Sequence, residues 1–387
     1  MTPRHPALLV PFLCPGLRAD GEILPQQYDY SYQLYQEDDD RIRVEAHYIR
    51  GSVELNDETS FRFQWLNDAI TGSSPTGALP GSAQPYLSDV EDVRTGILGA
   101  LSRQFGDHRV EIEFSRSKED DYFSRGLALS DVWNLNQKNT TITTGFNYLN
   151  DSVRDSLGTY QDKDSYDFFV GISQIIDKNT VVTANLTLGY SEGYLNDPYK
   201  VVQRTDIVSI PGGLGGTIQI PVVNIYRENR PDTRFRQVLQ FKGSHYFDQA
   251  SGVLDATLRF SHDDFGIYSQ TAEIEWRQEI GARLIAIPFV RYYHQNAADF
   301  FVNSLDGVVT GTPVGAGKPY YSADYRLSAF DAVSAGLRLK YQINDHLSAT
   351  AAYERYIMNG IGSSSDQSGG FAYPSADIWT IGLSASF

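Results

Sequence analysis

The chain alternates between apolar and polar positions over long stretches, and this alternation is clearest at its end. Residues 377–387 place an apolar side chain at every second position and small polar side chains between them. In a water-soluble sheet, a terminal strand of this kind would be an exposed edge prone to aggregation. A strand of about ten residues that is apolar on one face and polar on the other suits a transmembrane barrel, with lipid outside and water inside.

Similar segments, rich in Tyr, Phe, Val, Ile and Thr, recur from about residue 28 onward, and their period of two indicates strands rather than helices. We count about sixteen; the fourteenth begins at residue 325. Connections after even-numbered segments are short and mostly polar, which favours tight turns. The long connections all follow odd-numbered segments, and they are 68–91, 150–163, 192–232, 296–324 and 359–374.

This asymmetry predicts the fold class: an all-β, transmembrane antiparallel β-barrel of about 16 strands, with long extracellular loops and short periplasmic turns. An even strand number places both termini on the periplasmic rim. The last strand should then pair with the first, near Tyr28, and close the barrel.

Composition adds few constraints to this prediction. The chain has 387 residues and a formal net charge of -16, which disfavours nucleic acid as a partner. The apolar run at 7–13 is too short for a spanning helix, which needs about 20 residues. We interpret residues 1–19 as a candidate signal peptide and residues 20–387 as a single barrel domain. The only cysteine, Cys14, lies in the first segment, so disulfides and cysteine metal sites are not expected in the mature chain.

Charged residues of both signs occupy the polar phase of the strands. Inside a dry core such charges would cost several kcal/mol each, so the pattern favours a water-filled lumen. Rings of charge set selectivity in pores, but internal salt bridges that only maintain the barrel's shape are an equal alternative. The predicted lumen-facing charges are Glu111, Glu113, Asp255, Arg259, Glu273, Glu275, Arg277, Arg338, Lys340 and Glu354.

Several separated motifs resemble, in the same order, the bacterial outer-membrane family DUF3570. They are SSPTG at 73–77, ISQIIDKNT at 172–180, ANLTLGY at 184–190, GYLNDPYK at 193–200, ENRPDTR at 228–234, RYYHQNAADF at 291–300 and SADYRLS at 322–328. The resemblance implies an outer-membrane barrel but no reaction. It also hints at an envelope redox system, because members are often encoded near a small lipoprotein and a flavin-attaching transferase. Relative to the family pattern, 206–223 looks like an insertion that forms an external hairpin.

Candidate chemistry outside the lumen is sparse. His262, Asp263 and Asp264, together with His294, have the residue types of a general base and its orienting carboxylate, but Asp is common in tight turns for structural reasons. Asp38, Asp39 and Asp40 could bind calcium or bridge lipopolysaccharide through divalent cations, although a solvated turn is the simpler explanation. We therefore expect no enzymatic activity, no cofactor and no metal site.

The sequence thus predicts a barrel in the bacterial outer membrane that acts as a porin-like channel for small solutes. The alternative is a scaffold that encloses or docks a small envelope lipoprotein or electron carrier. Other expected partners are outer-membrane lipid, lipopolysaccharide and the barrel assembly machinery. Gly382, Ala385 and Phe387 resemble the spacing by which that machinery recognises a last strand.

Overall fold

The computed structural model describes residues 24–77, 87–212, 215–309, 311, 313 and 319–387. The candidate signal peptide at 1–19 lies outside the described residues, as does Cys14. Within the described ranges, no helix is long and apolar enough to cross a membrane.

The period-two segments of the sequence form strands, and sixteen of the eighteen strands close into one antiparallel barrel. This confirms the predicted fold class and strand number. The strands are β1 Gln26–Glu37, β2 Ile42–Asn56, β3 Thr59–Pro75, β4 Leu87–Phe105, β5 His108–Lys118, β6 Tyr122–Leu135, β7 Thr140–Arg154, β8 Tyr160–Asp177, β9 Thr180–Gly193, β10 Val201–Pro211, β11 Thr217–Arg227, β12 Thr233–Phe247, β13 Gly252–Asp263, β14 Tyr268–Ile280, β15 Leu284–Gln295, β16 Phe330–Gln342, β17 Leu347–Gly360 and β18 Ser375–Ser386.

Each barrel strand pairs with its neighbour in sequence, except that β9 pairs with β12. The barrel closes where β1 pairs with β18, with Tyr28 opposite Ala385 and Ser31 opposite Gly382. Two backbone hydrogen bonds of 3.0 Å between Gln26 and Phe387 complete this seam. The terminal strand therefore has no free edge, as the sequence predicted.

The outer wall of the barrel is apolar because the alternation persists through the ladder. On β4, Val93, Ile97, Leu101 and Phe105 are all exposed, and they lie on the face opposite the charged side chains of Asp92 and Arg94. β18 follows the same pattern, with Trp379 more than half exposed. Apolar side chains exposed in this way along many strands form a band that faces lipid.

The two ends of the barrel differ, as the connection lengths predicted. One end, which we call the turn rim, carries short turns such as 57–58, 106–107 and 178–179, together with both ends of the described chain. The other end, which we call the loop rim, carries the long connections, the longest of which is 194–232 between β9 and β12.

The hairpin predicted at 206–223 is confirmed, although it is longer than expected. β10 and β11 pair only with each other, from Val201 opposite Arg227 to Pro211 opposite Thr217, and form a separate two-stranded sheet. Several predicted boundaries were wrong. The connections expected at 68–91 and 150–163 are shorter, because the flanking strands extend to Pro75 and Leu87 and to Arg154 and Tyr160. The strand expected from residue 325 begins at Phe330. Residues Tyr325–Leu327 form a 3-10 turn instead, because the Asp324 side chain accepts a hydrogen bond from the backbone N–H of Arg326.

Four connecting segments fold inward at the loop rim and form what we call the loop cap: 194–200, 228–232, 296–309 and 321–329. Backbone hydrogen bonds join them, among them Asn229 N–H to Tyr321 O at 2.9 Å and Ala298 N–H to Leu327 O at 2.8 Å. Its apolar side chains form two buried clusters. The first contains Val202, Leu305, Val309, Tyr321 and Ala323, and the second Phe265, Ile267, Ala298, Phe301 and Leu327. The cap is therefore a packed element with its own small core.

Candidate functional site: a charged lumen beneath a loop cap

A cavity of about 980 Å³ lies between the barrel wall and the underside of the loop cap. Wall strands β7 to β9 and β12 to β15 contribute Lys163, Arg236 and Tyr293 among other residues, while the cap contributes Asp197 and Arg326. The cavity is thus bounded by charged groups of both signs, and we call it the chamber.

Above the chamber, five polar side chains from two cap segments form a network in which Glu228, Ser322 and Asp324 are buried. Asp324 Oδ2 accepts hydrogen bonds from Arg230 Nη2 at 2.7 Å and from Arg326 Nη2 at 2.6 Å. Arg230 Nη2 also donates to Glu228 Oε2 at 2.9 Å, and Ser322 Oγ donates to the same oxygen at 2.6 Å. Buried charges are stable only when they are paired in this way, so these five residues fix the relative positions of their segments.

The pKa values of the two buried carboxyl groups, Asp324 and Glu228, shift in opposite directions. Burial alone would raise the pKa of Asp324, but Arg326, Lys200 and Arg230 together hold that pKa well below its usual value. Burial raises the pKa of Glu228, and Arg230 only partly offsets the effect. Asp324 is therefore firmly charged at neutral pH, whereas Glu228 takes up a proton more readily than an ordinary glutamate does.

Lys200 ties the network to the rim of the barrel. Its side chain is buried, and Nζ donates to Ser74 Oγ at 3.3 Å and to the carbonyl oxygen of Pro75. Nζ also lies 5.6 Å from the centre of the Tyr325 ring. Burial lowers the pKa of Lys200, while Asp324 opposes that shift. The adjacent backbone N–H of Val201 donates to Thr76 O at 2.8 Å, so the cap is anchored to β3 and the residue after it.

A second anchor lies two strands along the wall from β3, at the connection between β5 and β6. Tyr199 Oη donates to a carboxylate oxygen of Asp121. Asp121, Asp92 and Glu119 form the one group of three potential metal-ligating side chains in the described residues. Other contacts account for these carboxylates: Asp92 Oδ1 accepts the backbone N–H groups of Val93 and Asp120, and Glu119 lies 4.0 Å from an Arg guanidinium. We read the group as part of the cap's attachment.

The predicted lumen charges lie on the face of the wall opposite the apolar band, and most have partners there. Arg62 Nη2 on β3 reaches Glu111 at 2.7 Å and Glu113 at 2.8 Å, so these three side chains share a face. A second set lies on β12 to β16, where Asp255 pairs with Arg277 and Lys242, Glu273 pairs with Arg291, and Glu275 lies 3.8 Å from Arg338. In the described part of the chain, Arg259, Lys340 and Glu354 make no ion pair. The structure thus brings seven of the ten into two networks.

The candidate catalytic residues occupy structural positions. Asp263 is buried, pairs with Arg234, and accepts the backbone N–H groups of Phe265 and Ile267 at 3.1 Å. His262 stacks on Tyr268 with ring centres 4.2 Å apart. His294 Nδ1 lies 2.7 Å from Asp331, far along the chain from His262. Asp263 therefore shapes a tight turn rather than orienting a base.

The remaining predicted residues lie at the barrel seam and the loop rim. Gly382 is opposite Ser31, Ala385 is opposite Tyr28, and Phe387 bonds to Gln26 at the turn rim. Asp38 follows β1 and pairs with Arg355, with Nη2 2.5 Å from Oδ2, so this ion pair reaches β17 across the intervening β18.

The cap network escaped the sequence analysis, although one signal for it was present. Of the motifs that resemble the family, those at 73–77, 193–200, 228–234, 291–300 and 322–328 meet in or beside the cap. These motifs fall largely outside the period-two segments, and they carry the buried residues Lys200, Glu228 and Asp324. Distinctive motifs located in loops therefore marked a part of the molecule in which loops form a packed core.

Comparisons with known proteins agree with the fold. No curated protein is similar in sequence. Among solved structures, a bacterial polysaccharide outer membrane secretin aligns with a TM-score of 0.51 at 7% identity, covering 94% of this chain and 98% of that one. CdiB from Acinetobacter baumannii aligns with a TM-score of 0.50 at 7% identity, covering 94% of this chain but 60% of its own. At these identities the likeness shows an outer-membrane barrel fold and nothing finer.

The family comparison is more specific than the structural one. The family described as "Protein of unknown function (DUF3570)" matches residues 18–86, 81–161 and 157–372, which together span most of the barrel and all of the loop cap. With its closed 16-stranded barrel, this chain belongs to the DUF3570 family of bacterial outer-membrane proteins.

Proposed function

We propose that this protein resides in the bacterial outer membrane as a porin-like channel for small polar solutes, with the loop cap as its constriction. The turn rim would face the periplasm and the loop rim the exterior. The observation that carries the proposal is the charged inner wall, which leads to a chamber of about 980 Å³ lined by charged groups rather than by an apolar core. Such a lining supports water and small ions.

The two wall networks would act as selectivity elements. Acidic Glu111 and Glu113 share Arg62, and Arg109 lies on the same face of β5, where its guanidinium donates to Ser60 and Ser102. Asp255 faces both Arg277 and Lys242 in the other network. Charged side chains of both signs that line a lumen favour polar solutes over apolar ones.

The test is a planar-bilayer recording of the purified, folded barrel. We expect discrete conductance steps whose cation preference falls when Glu111 and Glu113 are both replaced by Gln. The matched control is the pair Glu54→Gln and Glu58→Gln near the turn between β2 and β3, which should leave the preference unchanged. A folded barrel that shows no conductance, even after the cap has been released by Asp324→Asn, would end the channel proposal.

A second proposal is the scaffold, and one observation favours it. The cap covers the loop rim, whereas the turn rim of the described chain carries only short turns, so the lumen has the form of a cup open at that end. Lys340, near the turn rim, makes no ion pair in the described residues and could receive an acidic segment of a small lipoprotein or electron carrier. Affinity capture of the barrel from its own membranes tests this: a stoichiometric partner lost on Lys340→Glu supports it, and capture of the barrel alone contradicts it.

We propose no catalytic role. The base-and-carboxylate groups named from the sequence are engaged in a turn and in an ion pair with Asp331. Replacing His262 and His294 together by Gln should leave envelope phenotypes unaltered. If the double variant showed a phenotype that remained after second-site changes had restored its fold, this conclusion would be reversed.

A further inference from the structure

Three cationic side chains lie on the outer wall of the barrel, where most side chains are apolar. Arg116 and Lys118 lie on β5 and Arg125 lies on β6, and all three are exposed. The register places Arg116 directly opposite Arg125 and Lys118 opposite Phe123. Arg116 lies two positions after Phe114 on β5, and Arg125 lies two positions before Leu127 on β6. Residues two apart on a strand share a face, so these cations lie on the lipid-facing side.

Phe123 holds the two guanidiniums together. Arg116 Cζ lies 5.2 Å from the centre of the Phe123 ring, and Arg125 Cζ lies 4.9 Å from it. Two like charges on opposed residues of an antiparallel pair repel one another. The ring reduces this cost through cation–π contact, but it does not neutralise either charge.

The three cations also lack the carboxylate partners that Arg43 and Arg355 have on the same wall. Arg43 lies 2.7 Å from Glu45, and Arg355 pairs with Asp38 and Asp377. Within the described ranges, no carboxylate pairs with Arg116, Lys118 or Arg125. The neighbouring acidic side chains of Glu119 and Asp121 make their contacts with Arg94 and Tyr199 at the mouth of the barrel instead. Arg116, Lys118 and Arg125 therefore form an unneutralised positive patch on a chain with a net charge of -16.

The height of this patch matches a headgroup layer. Trp133 marks the turn-rim edge of the apolar wall on β6, and Phe123 lies ten residues away on the same face. At about 3.3 Å per residue and a tilt of about 40°, that separation spans about 25 Å, the height of the apolar band of an outer-membrane barrel. Below the cations, Phe114, Leu127 and Leu129 are exposed and would contact acyl chains.

We propose that Arg116, Lys118 and Arg125 form a binding site on the outer wall for the phosphate groups of a phosphorylated glycolipid of the outer leaflet. Guanidinium groups bind phosphate bidentately, and an ammonium adds a third charge. The exposed side chains of Phe114 and Leu127 pack against the acyl chains of the same molecule, which a free phosphate ion does not possess. The inference rests on outer-membrane placement but not on conduction through the lumen.

The test uses the wild-type barrel in phosphatidylcholine nanodiscs with fluorescent rough-type lipopolysaccharide that carries both lipid A phosphates. We expect saturable binding, weakened on the order of tenfold in the triple variant R116Q/K118Q/R125Q. The matched control, R103Q/K178Q/R283Q, also removes two arginines and one lysine, but at the turn rim, and should bind within about twofold of wild type. Heat-modifiable gel mobility confirms that each variant is folded.

Two further arms use only the wild-type protein, so the proposal remains testable if the triple variant fails to fold. Lipopolysaccharide stripped of its phosphates should bind on the order of tenfold more weakly. Millimolar inorganic phosphate should compete only weakly, because it lacks acyl chains. Equal binding by the triple variant, equal binding of the dephosphorylated glycolipid, or full displacement by inorganic phosphate would each overturn the proposal. Conductance should be the same in the triple variant as in wild type, which separates this proposal from the channel.

Discussion

At the scale of single residues, Asp324 is the centre of the loop cap. It is almost completely buried, it accepts from both Arg230 and Arg326, and its side chain caps the turn Tyr325–Leu327. Removing one partner of a buried ion pair leaves an uncompensated charge, which typically costs about 3–5 kcal/mol. The stability of the cap should therefore be concentrated in this carboxylate rather than spread over its surface contacts.

The substitution Asp324→Asn should release the cap while leaving the barrel folded. The amide keeps the volume of the side chain but removes the charge that neutralises Arg230 and Arg326. Hydrogen exchange at 194–200 and 321–329 should accelerate, and single-channel conductance should rise. Asp331→Asn is the control, because it removes a carboxylate that pairs with His294 outside the cap. Unchanged exchange at 321–329 would contradict the role assigned to Asp324.

Cap stability should depend on pH in two opposite ways. The pKa of Asp324 is lowered in the folded state, so its contribution is fully present above the ordinary aspartate value of about 4 and is lost as pH falls below it. The pKa of Glu228 is raised, so its contribution is present below the ordinary glutamate value and is lost as pH rises through its folded-state pKa. Exchange at 228–232 should therefore be slowest in mild acid and faster at either extreme.

Glu228→Gln separates the two effects. Glutamine imitates the protonated carboxyl group, so the acceleration on the alkaline side should disappear while that on the acid side remains. If the variant keeps the full alkaline-side dependence, Glu228 is not the titrating group.

At the scale of elements, the sequence predicted strands well and the cap not at all. A strand can be predicted from period-two alternation within about ten residues, as in β18, because the face that each side chain takes follows from its immediate neighbours. The cap depends on pairs that are distant in sequence, such as Lys200 with Pro75 and Glu228 with Ser322. No local period records such pairs, so the charges and glycines of these loops looked like ordinary surface polarity.

The β10–β11 hairpin is a separable element, and removing its outer part should leave the barrel intact. Its strands pair only with each other, and residues 217–223 are all exposed. Replacing 206–222 by a short Gly-Ser turn keeps Val202 and Tyr226, which pack at its base. Heat-modifiable mobility and cap exchange should match wild type. Leu305→Ala is the contrasting variant: it leaves the hairpin whole but truncates a fully buried side chain, and should destabilise the cap by about 2–5 kcal/mol.

At the scale of the whole molecule, closure explains why charge can line the interior. A closed barrel pairs every backbone group in its wall and leaves no edge, so its inner face can be polar without exposing unpaired backbone to lipid. The ten predicted lumen charges could be assigned to a face from alternation alone, because a period of two admits only two faces. Their partners could not be assigned, since Arg62 reaches Glu111 and Glu113 across an intervening strand.

Closure itself can be tested by a covalent link across the seam between β1 and β18. A Cβ built on Gly382 lies 3.7 Å from the Cβ of Ser31, within the separation of about 3.5–4.5 Å found in disulfides. The same Cβ lies 3.2 Å from the carbonyl oxygen of Tyr30, which requires a shift of a few tenths of an ångström. In a background with Cys14→Ser, the pair Ser31→Cys and Gly382→Cys should therefore cross-link on mild oxidation.

The cross-linked chain would be a covalent ring of about 350 residues, and in a denaturing gel it should migrate differently from the linear chain until reductant is added. The control pair joins Ser31→Cys with Leu383→Cys, whose side chain occupies the opposite face of the wall and should not link. Because the two linked residues come from opposite ends of the sequence, the disulfide can form only if the first and last strands are adjacent. A folded, heat-modifiable barrel in which Ser31→Cys and Gly382→Cys fail to link would show that the wall closes through other strands.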